Sequence, residues 1–206
     1  LSIRRQRQMC IRDRTLTDPE EATRKKAIEF IEKMISFGAV FQAPAIIGSM
    51  QGNVMSGVNR EQALGWLAEG LHHLGKHAAS LGVQLIYEPL NRYETNLINT
   101  LEDGVLFLMT NQIKQVGLLA DLFHMNIEEV DMAVSIRACA DFIMHVHFAD
   151  SNRRPVGNGH TRFVEVAKAL KEINYQGYVS AEAFPWPTPK EAAAQTILSF
   201  KKYFKI

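Results

Sequence analysis

Three carboxylates and an imidazole occupy corresponding places in four successive apolar segments. Glu88 closes "VQLIYE", Asp121 closes "VGLLAD", His147 lies near the end of "FIMHVHFA", and Glu182 falls within "YVSAEA". A single acid at the end of an apolar run is commonly a helix cap or part of a solvated turn. Four such groups delivered to one level are harder to dismiss. Gathered on a common axis, the carboxylates would repel one another and be poorly solvated unless a cation sat among them. One divalent metal ion resolves that conflict. Oxygen-rich ligation with a single nitrogen suits Mn²⁺, with Co²⁺ or Mg²⁺ as alternatives, better than a structural zinc site.

Convergence of this kind requires a scaffold that brings strand ends side by side. From Thr15 onward, apolar strand-like runs alternate with segments of helical spacing. Thr17-Asp18-Pro19-Glu20 reads as a capping box ahead of a helix whose apolar positions are Ala27, Ile28, Ile31, Met34 and Ile35, with Gly38 as terminator. "AVFQAPAI" reads as the first buried strand, and a helix follows the loop from Gly48 to Asn59, running to about Ser80. Further helices are expected near Leu101 to Thr110, Glu128 to Ala140, Phe163 to Ile173 and Lys190 to Phe204. Apolar strands separated by helices belong to a parallel sheet covered by helices. Neither G-x-G-x-x-G nor a P-loop occurs, which disfavours a doubly wound nucleotide-binding sheet. The remaining α/β architecture is a (β/α)8 barrel, which carries its functional residues at the C-terminal ends of several strands.

Composition narrows the partners. The 206 residues are 47% hydrophobic and 22% charged with a formal net charge of +1, the make-up of one globular domain without a broad basic field for nucleic acid or membrane. Small, mostly neutral partners fit better. Cys10 and Cys139 stand in unlike contexts, so a disulfide framework is not expected, and no apolar run approaches the roughly 18–20 residues that cross a bilayer. The expected location is cytoplasmic, with a targeting signal left open. Residues 1–14, "LSIRRQRQMCIRDR", are Arg-rich and aperiodic, and "MCIRDR" looks like a translated sequencing adapter. They read as non-native, against the alternative of a basic arm, and 15–206 then forms the C-terminal portion of a single barrel domain.

The segments "EPLNRYE" (88–94), "DLFHMN" (121–126), "HVHFADSNRRPVGNG" (145–159) and "AEAF" (181–184) together resemble the xylose isomerase-like barrels, and among them the ketose 3-epimerases acting on D-tagatose and D-psicose. The resemblance runs from about Thr15 to the C-terminus. It implies that Glu88, Asp121, His147 and Glu182 hold the metal and that Glu94, His124 and Arg153 contact sugar hydroxyls. It also implies 3-epimerisation of a ketose through an enediolate, with Glu88 and Glu182 as acid and base on opposite faces. An aldose-ketose or hydroxypyruvate-type isomerase is the alternative. A DNA-repair barrel of the endonuclease IV type lacks its further histidines here, and a non-catalytic sugar-binding barrel would not need paired carboxylates. The family has eight strands, whereas about five βα units are legible, consistent with an absent N-terminal third and with exposed, aggregation-prone sheet edges. Pro89-Leu90 departs from the two aliphatic residues usual after the first ligand. Homo-oligomerisation at full length is left open.

Other residues carry weaker signals. His145 points to the same face as His147 one layer deeper, as a packed, hydrogen-bonded histidine would. Gly157-Asn158-Gly159 reads either as a phosphate-binding turn or as a flexible one. His72, His73 and His77 read as packed or solvated rather than metal-binding. Arg154 reads as a solvated loop residue, and Trp186 as packing, a pocket wall or a subunit contact.

Overall fold

A computed structural model describes residues 14–204. The Arg-rich head and Cys10 lie outside the described residues, except for Arg14, whose guanidinium sits 5.6 Å from the centre of the Phe30 ring. Five parallel strands run β1 (Ala45–Ile47), β2 (Leu85–Tyr87), β3 (Val116–Asp121), β4 (Ile143–His147) and β5 (Tyr178–Ser180), each hydrogen-bonded to the next in chain order. Sequential order with a helix at every crossover gives an open α/β arc of the barrel type. The helices are α1 (Glu21–Ala39), α2 (Arg60–Ser80), α3 (Leu101–Thr110), α4 (Leu122–Glu128), α5 (Met132–Ala138), α6 (Phe163–Glu172) and α7 (Pro189–Phe204). No described helix is long and apolar enough to cross a membrane.

The core lies between the helices and the strands. In α2, Ala63, Leu67, Leu71, Leu74 and Ala78 are fully buried at helical spacing, and Asn59 caps its start by accepting from the Gln62 amide. Burying each such leucine stabilises the fold by roughly 2 kcal/mol. Burial is uneven across the sheet. Every residue of β2 and β3 is buried, whereas Tyr178 on β5 is 79% exposed and an apolar groove lined by Val179, Ala181, Pro185 and Phe200 opens beside it.

Three expectations are corrected. The Thr17 hydroxyl does not cap α1; it is buried and donates to the Gln51 and Asn53 carbonyls at 3.0 Å each, tying the chain to the loop after β1. "AVFQAPAI" is strand only from Ala45, because residues 39–42 finish the helix and turn through Gln42 at φ 53°, with the Ala43 amide bonded to the Gly38 carbonyl. The helix expected from Glu128 to Ala140 is the shorter α5, and a helix that was not expected, α4, precedes it. Asp121 caps α4 by accepting from the Phe123 and His124 amides, and Asp131 caps α5 through the Ala133 and Val134 amides.

Candidate metal centre

Strand geometry brings the four predicted ligands together. Asp121 and His147 end β3 and β4 as direct register partners, Glu88 follows β2 with its amide bonded to the Ile47 carbonyl, and Glu182 stands two residues beyond β5. One ligand atom from each of the four lies within 4.8 Å of the other three. His147 Nδ1 is the hub, 3.0 Å from Asp121 Oδ2, 3.0 Å from Glu182 Oε2 and 3.4 Å from Glu88 Oε1. Asp121 has two tasks: Oδ1 caps α4 while Oδ2 faces the cluster. Cap and ligand, the two readings of an acid at a strand end, are here one residue.

The electrostatics are those of a cation site. Burial raises the Glu88 carboxyl to about 7, reinforced by Asp121 and Glu182 and opposed by His147. Burial would lower His147, yet its bonds to Asp121 and Glu182 and the charge of nearby Glu88 prevail and raise it to about 11. The imidazolium proton thus stands where positive charge is demanded by three carboxylates. Asp121 and Glu182 are both held below the usual carboxylate range, since the positive charges around them outweigh their burial. Glu88 Oε1 is buried without a hydrogen-bond partner, an atom awaiting a partner of opposite charge. Its room comes from Gly48, where an added Cβ would lie 2.5 Å from Glu88 Oε2. Donor set, spacing and orphaned oxygen all fit a divalent metal ion.

A ring of donors borders this cluster. The Asn91 amide and Asn91 Nδ2 lie 3.2 Å and 2.7 Å from His124 Nδ1, and Asn91 Oδ1 accepts from the Tyr93 amide, which fixes the orientation of the side-chain amide. Nδ1 of His124 is therefore an acceptor. Its proton resides on Nε2, and burial holds the ring neutral by lowering its pKa. Arg153 Nη1 lies 3.3 Å from that Nε2, so both donors border the same side of the cluster, where one oxygen could accept from both. Arg153 also pairs with Glu182 Oε2 at 2.8 Å and lies over the Phe123 ring, 4.8 Å from its centre. Glu94 reaches 4.0 Å from His124 Nδ1 and 3.4 Å from Asn91 Nδ2, outside the ligand cluster but beside it.

The weaker signals resolve simply. His145 Nε2 bonds Ser180 Oγ at 2.7 Å, one layer beneath the cluster. His72, His73 and His77 engage the Asn111 carbonyl, Glu32 and Ser36 respectively and do not converge. Arg154 turns outward over the Trp186 ring, 4.1 Å from its centre. Gly157-Asn158-Gly159 is neither a free turn nor an outward phosphate cradle, because the Gly157 amide and neighbouring amides are directed at the buried Asp150 carboxylate.

Sequence reasoning missed three residues that support the site, Gly48, Gln51 and Asn91 as the partner of His124, and also the buried Asp150. Gln51 is fully buried, donates to the Glu88 and Gly48 carbonyls at 2.9 Å and 3.0 Å, and accepts from the Tyr87 hydroxyl. Nothing in its local sequence marks it. Asp150 offers a fainter clue, an acid directly after an apolar strand and shortly before a Gly-rich turn.

The chain and its fold are similar to known proteins. D-psicose 3-epimerase of Agrobacterium fabrum is 31% identical over 175 residues, covering 83% of this chain and 61% of that protein. 3-dehydro-D-guloside 4-epimerase of Escherichia coli is 39% identical over 116 residues, covering 56% of this chain and 44% of the other. The chain thus spans 44% to 61% of the length of these two curated relatives. Among solved structures, D-psicose 3-epimerase in the presence of D-fructose matches with a TM-score of 0.84 at 27% identity, over 94% of this chain and 75% of that one. A family model described as the xylose isomerase-like TIM barrel matches residues 6–203, and the chain belongs to that family.

Proposed function

We propose that this chain carries the metal-binding side of a sugar epimerase that inverts a carbon next to a carbonyl, most specifically C3 of a ketose. The observation that carries this reading is the pairing of two carboxylates, Glu88 and Glu182, from strands separated by two others, around one candidate cation position. Glu88, Asp121, His147 and Glu182 would hold one divalent metal ion, Mn²⁺ by preference with Co²⁺ or Mg²⁺ as alternatives. When bound, such an ion polarises the carbonyl and a neighbouring hydroxyl, which acidifies the carbon between them.

The remaining work falls to side chains. Glu88 removes the carbon-bound proton from one face, and Glu182 returns a proton to the other, so that configuration inverts through a planar enediolate. His124 Nε2–H and the Arg153 guanidinium donate to the oxygen on which negative charge develops. Glu94 accepts from a hydroxyl further along the sugar, and Asn91 fixes the His124 tautomer. The relative named a 3-dehydro-D-guloside 4-epimerase supports the general form of the reaction, since a ketone at carbon 3 stands beside the carbon inverted. The full-length protein is read as an epimerase of small sugars, with residues 15–206 as part of its single barrel domain.

Incubation of the full-length protein with Mn²⁺ and a panel of ketoses and 3-keto glycosides in D₂O tests this. Deuterium at C3 of a ketose, detected by NMR, is the expected result. Label at C4 of a 3-keto glycoside keeps the mechanism and changes the substrate. Label at C1 or C2 points to an aldose-ketose isomerase, and no label in any sugar rejects both.

A further inference from the structure

Asp150 is 1% exposed and has no partner of opposite charge within the loop it begins. Its carboxylate is satisfied by backbone instead. Oδ1 accepts from the Ser151 and Thr161 amides at 2.8 Å and 3.1 Å, and Oδ2 accepts from the Gly157 amide at 2.8 Å. Gly159 packs against it, and a Cβ at Gly159 would lie 2.3 Å from Asp150 Oδ1. Burial alone would raise this carboxyl, yet the amides of Thr161, Ser151, Gly157 and Gly159 outweigh it and hold it below the ordinary range. Loop 150–161 is therefore wrapped around an internal anion.

The same loop carries Arg153. The Arg153 amide donates to the Asp150 carbonyl at 2.7 Å and the Asp150 amide to the Arg154 carbonyl at 2.9 Å, closing a tight turn that holds Arg153 at φ 57°. A left-handed arginine is uncommon and persists only when its surroundings enforce it. From this backbone position Arg153 reaches Glu182 and His124, while its carbonyl accepts from the Phe184 amide at 2.7 Å and tethers the segment carrying Glu182.

We propose that Asp150 is a positioning residue for the site: its buried carboxylate templates loop 150–161 and thereby sets the Arg153 guanidinium against Glu182 and His124. The activity arm of the test rests on the epimerase reading; the spectroscopic arm does not. In the full-length protein labelled with ¹⁵N-arginine, Arg153 gives a guanidinium signal shifted from the bulk arginines, identified by its loss in Arg153→Lys. Asp150→Asn returns that signal to the bulk envelope. With an active enzyme, Asp150→Asn lowers kcat by about 100-fold with KM changed far less, the scale expected for misplacement of a catalytic group by about 1 Å. Combined with Arg153→Ala it adds less than about threefold, as coupled residues do. Gly159→Ala, which displaces the carboxylate without removing it, reproduces both effects and serves if Asp150→Asn does not fold. An unmoved Arg153 signal in a folded variant, or full additivity in the double variant, overturns the proposal. If no sugar is turned over, the NMR signal alone decides it.

Discussion

The candidate metal centre has an inner and an outer half. Glu88, Asp121 and His147 are less than one-tenth exposed and sit at the ends of strands flanked on both sides by other strands. Among the described residues, Glu182 lies past the end of an edge strand, β5, with half of its side chain exposed, and is held by Arg153 and His147 rather than by a strand ladder. Inner ligands are placed by the sheet and the outer one by ion pairs. A sheet interior positions a side chain through many cooperative backbone bonds, whereas an ion pair positions it through one or two contacts that solvent weakens. The inner half should therefore resist perturbation and fail abruptly, and the outer half should yield by degrees.

Ligand deletion gives the largest effect. Glu88→Ala empties a buried position that water does not readily fill and should weaken Mn²⁺ binding by on the order of 10³-fold, whereas water can replace the carboxylate of Glu182→Ala, limiting the loss to about 10–100-fold. Titration with Mn²⁺ monitored by electron paramagnetic resonance of the free ion measures both. Equal losses would erase the distinction between the two halves. Gly48→Ala tests the inner half without touching a ligand. Its Cβ would meet Glu88 Oε2 at 2.5 Å, so the carboxylate must swing aside and Mn²⁺ affinity should drop about 10-fold, the scale of an outer-shell change. Unchanged affinity would mean that Glu88 is free to reorient despite its burial.

What the sequence made legible follows the same division. Glu88, Asp121 and His147 could be aligned because β2, β3 and β4 are nearly continuous apolar runs whose ends are sharp. Glu182 is less clearly marked, since β5 ends at Ser180 and only the motif "AEAF" signals the ligand. The helix α4 escaped because it begins at the residue after β3, leaving no turn signal, and its cap is itself a predicted ligand. The local capping pattern at Thr17 carries no sign of the carbonyls of Gln51 and Asn53, more than thirty residues away, that hold its hydroxyl. Gly48, Gln51 and Asp150 act through long-range fit or through many backbone amides, and no local spacing encodes either. Glu94, His124 and Arg153 were legible through family resemblance, and their proximity to the cluster emerges only in three dimensions.

Acid sensitivity sharpens the outer half. Asp150 is depressed below its ordinary value of 3.8, so the stability it contributes is fully present above 3.8 and is lost as the pH falls through its lower folded value. Relative to Asp150→Asn, the native protein should be more stable by about 1–3 kcal/mol at neutral pH, the range for charge-assisted bonds to a buried group. Urea denaturation at a series of pH values should show that gap constant down to about pH 4 and narrowing below 3.8. A gap that grows on acidification would mean that the amides around Asp150 favour the protonated form.

The smallest effect belongs to the neighbour of Arg153. Two adjacent arginines share one loop, yet Arg153 turns inward at φ 57° to Glu182 while Arg154 turns outward to stack on Trp186. Charge and side-chain length are identical, so any difference in their effects comes from backbone direction alone. Arg154→Ala should cost about 0.5–1 kcal/mol of stability, the value of an exposed cation–π contact, and leave sugar turnover and Mn²⁺ affinity unchanged. Thermal unfolding with a parallel turnover assay separates the two. A loss of turnover in Arg154→Ala would show that the outer half extends along the loop to Trp186, and that the division between the two halves lies further out than Glu182.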